Sequence, residues 1–220
     1  MIFDTSYLYF RAFFGVPSSF RSPDGRPVNA VRGTLDFISR LVSQYSPDEV
    51  ACAWDDDWRP GWRVDLIESY KAHRVVVVDG EQIEQVDDDL TVQVPLIREV
   101  LEATGIPIVG AAEHEADDVL ASLARRHAGT SLVVTGDRDL FQLVDDDTSV
   151  VYVARGVAKH EVVTPAVLAE KYGLTPDRYV DFAVLRGDPS DGLPGVKGIG
   201  DKSAASLVNT YPTIEAMVAA

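Results

Sequence analysis

An α/β fold, with a mostly parallel central sheet flanked by helices, is what this sequence predicts, and three observations predict it. Short apolar runs alternate along the chain with longer stretches of helical periodicity. Strands that alternate with crossover helices build a parallel sheet covered on both faces. At 220 residues, 46% hydrophobic and 25% charged, the chain can bury an ordinary core as one large domain, or a main domain with a small appendage.

Taken in order, residues 1–3, 49–54, 106–109, 131–135 and 149–153 read as strands. Residues 28–45, 91–104 and 116–127 carry apolar side chains at helical spacing. Phe10, Phe13 and Phe14 are also helically spaced and read as core, or one of them as a stacking partner for a base near the loop 15–27. Residues 56–90 break the alternation. They hold a mixed Trp58-Arg59-Pro60-Gly61-Trp62-Arg63 segment, a helix predicted over 64–73 and an acidic stretch ending in Asp87-Asp88-Asp89. Nothing there alternates like a sheet strand, so the segment reads as a long lid above the sheet. From residue 164 onward the pattern is helical with Gly- and Pro-rich joints. The expected organisation is a core over 1–163 that includes the lid at 56–90, and a helical lobe over 164–220 with a glycine hairpin at 192–204.

The composition excludes several classes. One cysteine, Cys52, rules out an intramolecular disulfide framework or a multi-Cys zinc site, and it reads as a buried small hydrophobe. The four histidines share no ligand spacing. Residues 75–78 are too short to span a bilayer and no basic-then-apolar leader opens the chain, which leaves the cytoplasm as the expected compartment. A strand already under way at Met1 and an uncapped stop at Ala220 read as a chain trimmed at one or both ends.

The net charge of −15 argues, taken naively, against a partner made of phosphate. The positions of the acids change that reading. In doubly wound sheets the ligand sits beyond the strands' carboxyl ends, and there the chain places Asp4, Asp55, and Asp137 with Asp139. Glu115, Asp117 and Asp118 gather at the start of a helix. Residues i and i+3 share a helical face, so Glu115 and Asp118 converge if both are helical, whereas Asp117 joins Glu115 only if Glu115 lies at or before the first turn. Asp188 and Asp191 sit three apart in a Gly/Pro turn. An isolated Asp at a strand end is usually a cap or turn residue, and Asp56, Asp57, 87–89 and 145–147 read as solvated loop acids. Recurrence at several strand ends of one sheet is harder to assign to capping. So many carboxylates cannot converge as bare anions. Divalent cations with oxygen ligands remove the difficulty, and two of them about 3.5–4 Å apart suit in-line displacement at phosphorus. Setting the nine acids aside leaves 26 against 20 basic residues, a net of −6.

Three of the five lysines stand out. Lys71 and Arg74, three apart, would share a helical face on the lid, with Arg63 two turns or more earlier. Such cations suit a phosphate held above a carboxylate floor. They equally suit a helix C-terminus whose dipole they complement, and spacing does not choose between the two. Lys197 and Lys202 flank Gly198-Ile199-Gly200, and Ser203 follows. Glycines around an apolar residue allow a tight turn between helices, whose next N-terminus can meet a DNA phosphate without reading its base. A plain interhelical turn is the alternative.

These segments, in this order, resemble the flap endonuclease superfamily, and most of all the bacterial 5′–3′ exonucleases, including the 5′-nuclease domain of DNA polymerase I. The matching stretches are Phe3-Asp4-Thr5-Ser6 with Tyr9-Phe10-Arg11-Ala12, Ala53-Trp54-Asp55, and Tyr70-Lys71-Ala72-His73-Arg74. They continue with Glu115-Ala116-Asp117-Asp118-Val119, Thr135-Gly136-Asp137-Arg138-Asp139, and Gly187-Asp188 through Ser203. The chain departs from the family at Thr5, where glycine is commoner, and over 75–90, where relatives tend to be proline-rich.

The resemblance implies a PIN-like 5′-nuclease core with a helical arch and a C-terminal helix-hairpin-helix DNA-binding lobe. It implies that Asp4, Asp55, Glu115 and Asp117 serve a first metal and that Asp118, Asp137, Asp139, Asp188 and Asp191 serve a second, directly or through water. Mg2+ or Mn2+, two or more per site, is the implied cofactor, with K+ at the glycine hairpin. Lys71 and Arg74 match arch cations that engage the scissile phosphate. DNA contacts are implied for Arg63, Tyr70, Lys71, Arg74, Lys197, Gly198, Gly200, Lys202 and Ser203. The implied activity is two-metal hydrolysis of DNA at single-strand/duplex junctions, as 5′–3′ exonuclease and 5′-flap endonuclease in replication and repair. It would leave a 5′-phosphate and a 3′-hydroxyl. The implied partner is DNA with a 5′ flap, 5′ overhang or nick, met by a monomer away from any membrane. A nuclease acting on RNA, a non-catalytic junction binder and an Asp-dependent phosphatase on a similar sheet are the rival readings, the last giving no reason for the glycine hairpin.

Overall fold

The computed structural model describes residues 1–220. Its first half contains β1 (Ile2–Asp4), α1 (Thr5–Gly15), α2 (Asn29–Tyr45), β2 (Ala51–Ala53), α3 (Gly61–Leu66), β3 (Val75–Val78), β4 (Glu81–Glu84), α4 (Asp88–Thr91), α5 (Val94–Ala103) and β5 (Ile108–Val109). The second half adds α6 (Ala116–Arg126), β6 (Ser131–Thr135), β7 (Thr148–Tyr152), β8 (Glu161–Val163), α7 (Pro165–Tyr172), α8 (Tyr179–Arg186), α9 (Asp201–Thr210) and α10 (Ile214–Val218). The main sheet runs β5-β2-β1-β6-β7-β8. Its first five strands are parallel, as the alternation predicts, and β8 closes one edge antiparallel to β7. That sixth strand was not foreseen. Its one apolar pair, Val162-Val163, falls immediately before the helical pattern that begins at residue 164 and does not stand out from it.

Period-2 alternation along the central strands divides the core into two layers. Ile2, Val133 and Val150 face one side with Leu120 of α6 and Tyr179 and Phe182 of α8. Phe3, Val134 and Val151 face the other with Leu8 of α1, Leu41 of α2 and Leu101 of α5. Cys52 lies in this second layer, fully buried, and burial pushes its thiol up to about 11. No helix is long and apolar enough to cross a membrane.

The lid differs from expectation. In place of a helix over 64–73, α3 ends at Leu66, and Ile67 is extended with φ −141°. Lys71 takes a left-handed backbone, φ 48°, ahead of a single 3-10 turn at Ala72–Arg74. Its amide donates to the Asp191 carbonyl at 2.8 Å, so a tertiary contact outweighs local helical preference. The chain then forms an antiparallel hairpin pairing Val75 with Glu84 and Val78 with Glu81. Four successive β-branched residues favour a strand. Asp79 and Gly80, both at positive φ, supply the two-residue turn that matches strand twist. The segment expected to be a helical arch therefore carries one short helix, a 3-10 turn and a β-hairpin before α4 begins at Asp88.

Candidate active site

Each acid at a strand end is held by a specific partner. Asp4 closes β1, only 4% exposed, and one of its carboxylate oxygens caps α1 by accepting the Tyr7 amide at 3.0 Å. Its other oxygen accepts the Thr135 hydroxyl at 2.7 Å, tying the ends of β1 and β6 together. Asp55, just past β2, accepts the Ala116 amide at 2.6 Å and so fixes the first turn of α6. Glu115 stands at the N-cap of α6 and Asp117 in its first turn. With Glu115 as the cap, Asp117 comes to line the same cleft as Glu115.

Glu115 is 2% exposed, and both of its oxygens are engaged by the lid. One accepts from Arg63 Nη1 at 2.7 Å and from the Tyr70 hydroxyl at 2.6 Å, and the other pairs with Lys71 Nζ. Arg63 also reaches Asp118 at 2.9 Å, while the second Asp118 oxygen accepts the Glu115 amide at 3.1 Å. Asp118 was expected among the second group of acids. The structure commits it to Arg63 and to the start of α6.

The second group assembles from two distant stretches. Asp137, Asp139 and Asp188 each place a carboxylate oxygen within 4.8 Å of the others. Asp137 accepts the Asp139 amide at 2.7 Å, and Asp139 meets Arg186 at 3.2 Å. Asp188 accepts the amide and hydroxyl of Ser190, at 2.8 and 2.6 Å. Asp191 pairs with Arg74 at 2.8 Å. The glycines explain how this turn gets so close. Gly195 has φ 58° and Gly192 φ 74°; a Cβ on Gly195 would overlap the Arg186 backbone, and one on Gly192 would overlap the Ser69 carbonyl.

A cleft of about 940 Å³ collects most of these groups. Asp4, Asp55, Glu115 and Asp117 line it, as do Asp137, Asp188 and Asp191. Lys71 and Arg74 form part of its wall. Arg63, Tyr70, Asp118 and Asp139 stand behind that lining, touching residues on it. Two further acids line the cleft that sequence reasoning missed, Asp56 and Glu84. Asp56 had been assigned to a solvated loop. Glu84 reaches the cleft only because β4 folds back on β3, for which Asp79-Gly80 was the available signal.

Crowding raises the carboxyl pKa values. Burial is the largest cause at Asp4, pushed up to about 6 against the Thr135 hydrogen bond, with Asp55 adding to the rise. Burial followed by Asp4, Asp137 and Asp55 holds Asp117 well above the usual range. Asp137 is raised by burial, with Asp191 and Asp188 adding to it against the Asp139 amide. Asp139 is pushed up to about 6 by burial and then by Asp137 and Asp188. Lys71 shows the reciprocal effect: burial would lower its ammonium, but Asp191 and Glu115 outweigh this and raise it. Convergent oxygen donors whose charge is held back only by protons or cations fit divalent metal ions. No cluster of histidine or thiolate competes for that role.

The glycine hairpin lies apart from the cleft lining. Lys197, Gly198, Gly200, Lys202 and Ser203 are exposed around the start of α9. Gly198 has φ 85°, and the Gly200 amide donates to the Ser203 hydroxyl at 3.0 Å. Ile199 packs into the core layer that holds α8, anchoring the exposed loop.

Residues 1–173 match the 5′-3′ exonuclease N-terminal resolvase-like domain, and residues 174–220 match the 5′-3′ exonuclease C-terminal SAM fold. A 5′-3′ exonuclease of Streptomyces coelicolor is 53% identical over all of this chain and 74% of its own length. One from Mycobacterium tuberculosis is 49% identical over all of this chain and 73% of its own. DNA polymerase I of Mycobacterium bovis is 39% identical over 99% of this chain and 24% of its length. Among solved structures, bacteriophage T5 5′-exonuclease with bound zinc superposes with a TM-score of 0.77, at 18% identity, over all of this chain and 78% of that one. The catalytic core of Rad2 with DNA substrate gives 0.62, at 19% identity, over 99% and 63%. The chain therefore belongs to the 5′-3′ exonuclease family.

Proposed function

We propose that the chain hydrolyses DNA phosphodiesters at single-strand/duplex junctions, taking a 5′ flap, a 5′ overhang or a nick, as a monomer in the cytoplasm. The observation that carries this reading is the meeting of Asp137, Asp139 and Asp188 oxygens within 4.8 Å, in a family of nucleases, beside a cleft walled by Lys71 and Arg74. Asp4, Asp55, Glu115 and Asp117 would hold one divalent ion, and Asp137, Asp139, Asp188 and Asp191 another. Bound Mg2+ or Mn2+ would supply a more acidic water and neutralise charge on the leaving oxygen.

The chain's own groups do the rest. Thr135 and the Tyr7 amide hold the Asp4 carboxylate in one orientation. Lys71 and Arg74 neutralise the phosphate that is cut, and Arg63 with Tyr70 keeps Glu115 aimed at the cleft. Asp118 holds Arg63 in place. Lys197, Lys202 and the backbone at Gly198, Gly200 and Ser203 grip the duplex phosphates, with K+ as the ion that would neutralise them there. Such contacts read shape and not base sequence.

A 5′-flap duplex labelled at its flap end tests this reading. Cleavage near the junction in Mg2+ or Mn2+, abolished by EDTA and leaving a 5′-phosphate and a 3′-hydroxyl, is the expected result. Binding without cleavage under either metal would favour a junction-binding module. Equal or faster cleavage of the matching RNA flap would favour the RNA reading.

A further inference from the structure

The cleft is not the only cavity along the carboxyl-end rim of the sheet. Beyond it lies a second, of about 570 Å³, lined by Arg138, Tyr152, Arg155, Lys159, Lys171 and Tyr172 among others. Four cations face one acid there, Glu161, in a chain whose net charge is −15. Lys171 pairs with Glu161. Arg155 and Lys159 are exposed, and neither is in an ion pair.

Three relationships tie this cavity to the cleft and to the glycine hairpin. Arg138 and Tyr152 line both, so the two spaces share a wall. Arg138 also reaches Asp201, the first residue of α9, at 3.7 Å, which links the cavity to the glycine hairpin. Strand register places Thr135 beside Tyr152 and Tyr152 beside Glu161, with Asp4 bonded to Thr135. Asp4 and Glu161 are thus ends of one row across β1, β6, β7 and β8. Three strand spacings make that row about 14 Å long, or about four nucleotides of stacked strand.

The lysines are confined to these three places. Lys71 is in the cleft wall, Lys197 and Lys202 are at the hairpin, and the remaining two, Lys159 and Lys171, meet in this cavity. No lysine lies elsewhere.

We propose that the cavity formed by Arg155, Lys159 and Lys171 is a second phosphate station, which takes the DNA phosphodiester backbone about four nucleotides from the bond that is cut. The proposal rests on the nuclease reading and deepens it. Arg155 and Lys159 supply the unpaired charge, and Lys171 is held back by Glu161 until a phosphate offers a stronger partner. A phosphate contact of this kind sets register without reading sequence. Four cations along one rim would offset the repulsion that the acidic chain otherwise presents to DNA.

The test compares wild type with the R155A/K159A double variant and with E161Q, all as full chains. Arg155 and Lys159 have no carboxylate to abandon, so the double variant should melt with wild type. Binding of a 5′-flap duplex is measured across a salt series in Ca2+, and cleavage by the saturated complex is measured in Mg2+. The expected result for R155A/K159A is a salt slope lower by about 2, roughly one for each cation, and binding weakened about tenfold or more at low salt. Cleavage at saturation stays within twofold of wild type. E161Q, which frees Lys171, should bind more tightly than wild type.

Replacing single phosphodiesters by neutral methylphosphonates near the junction locates the contact. At least one linkage should weaken wild type while leaving R155A/K159A unaffected, the signature of a coupled pair. An unchanged slope and affinity in a wild type that cuts normally would overturn this inference alone. A wild type that neither binds nor cuts the duplex would overturn the nuclease reading and this one together. Inorganic phosphate is the small-anion control. If it displaces DNA from wild type more than chloride does at equal ionic strength, and no linkage shows coupling, the cavity holds a free anion and the proposal falls.

Discussion

Lys71 and Glu115, 44 residues apart in sequence, meet in a buried ion pair where the lid touches the floor of the cleft. Arg63 with Glu115 and Arg74 with Asp191 repeat the pattern, so the excursion between β2 and α5 docks by placing cations on acids at the start of α6 and in the turn after α8. The left-handed backbone at Lys71 is what turns its side chain inward while its amide reaches Asp191.

Replacing Lys71 by alanine separates chemistry from docking. Glu115 keeps Arg63 and Tyr70 as partners, so folding should survive. Single-turnover cleavage should fall about 10²–10³-fold, the scale of losing one charge-stabilising donor, with flap affinity changed less than about fivefold. Equal loss of rate and affinity would make Lys71 a docking residue.

Arg63→Ala should destabilise the lid more than it weakens DNA binding. It strips a nearly buried carboxylate, Glu115, of a bidentate-capable partner and releases Asp118 as well. Because Arg63 is itself 22% exposed, the expected loss is about 2 kcal/mol, below the range for fully buried pairs. Chemical denaturation measures it, and Arg63→Lys should restore only part, since one ammonium cannot span both acids.

Stability without metal should fall as pH rises. Asp4 and Asp139 titrate near 6 in the folded chain, above the carboxylate value of the unfolded chain. The folded state therefore binds more protons between about pH 4 and 6, and unfolding free energy declines across that window. Melting in EDTA should show a lower Tm at pH 7 than at pH 5. Added Mn2+ should restore stability at pH 7 and do little at pH 5, where protons compete for the same oxygens.

Gly195→Ala should damage the site from a distance. Its positive φ and the backbone against it leave no room for a Cβ, so the turn carrying Asp188 and Asp191 must shift. A loss of about 1–3 kcal/mol in stability should accompany a larger loss in cleavage than in DNA binding. Wild-type kinetics in this variant would mean that the turn does not position those acids.

The parallel sheet and the acids at its strand ends were legible because both follow from short-range patterns, apolar runs and the residue that ends each run. The lid was not. A helix over 64–73 fits local preference, but the contacts of Lys71 with Asp191 and Glu115 override it, and no local signal announces a partner 44 or more residues away. The Val75–Val78 hairpin was readable from its valines and Asp-Gly turn, and with it Glu84 would have been placed at the cleft. Whether Asp117 joins Glu115 on the cleft depends on one position, whether Glu115 caps α6 or lies inside it, and spacing alone left that open. Strand β8 offers only Val162-Val163 against the helical pattern that follows, and the cavity beside it went unseen with it.

Titration of Mn2+ into the metal-free chain, paired with flap cleavage on the same samples, tests the central claim that the converged carboxylates hold the metals on which cutting depends. Wild type should bind at least two ions and cut the flap. Asp137→Asn should lose one binding event and nearly all cleavage while still binding the flap, whereas Asp118→Asn, whose oxygens serve Arg63 and the start of α6, should keep the full metal count. Full Mn2+ binding and cleavage in Asp137→Asn would contradict the account.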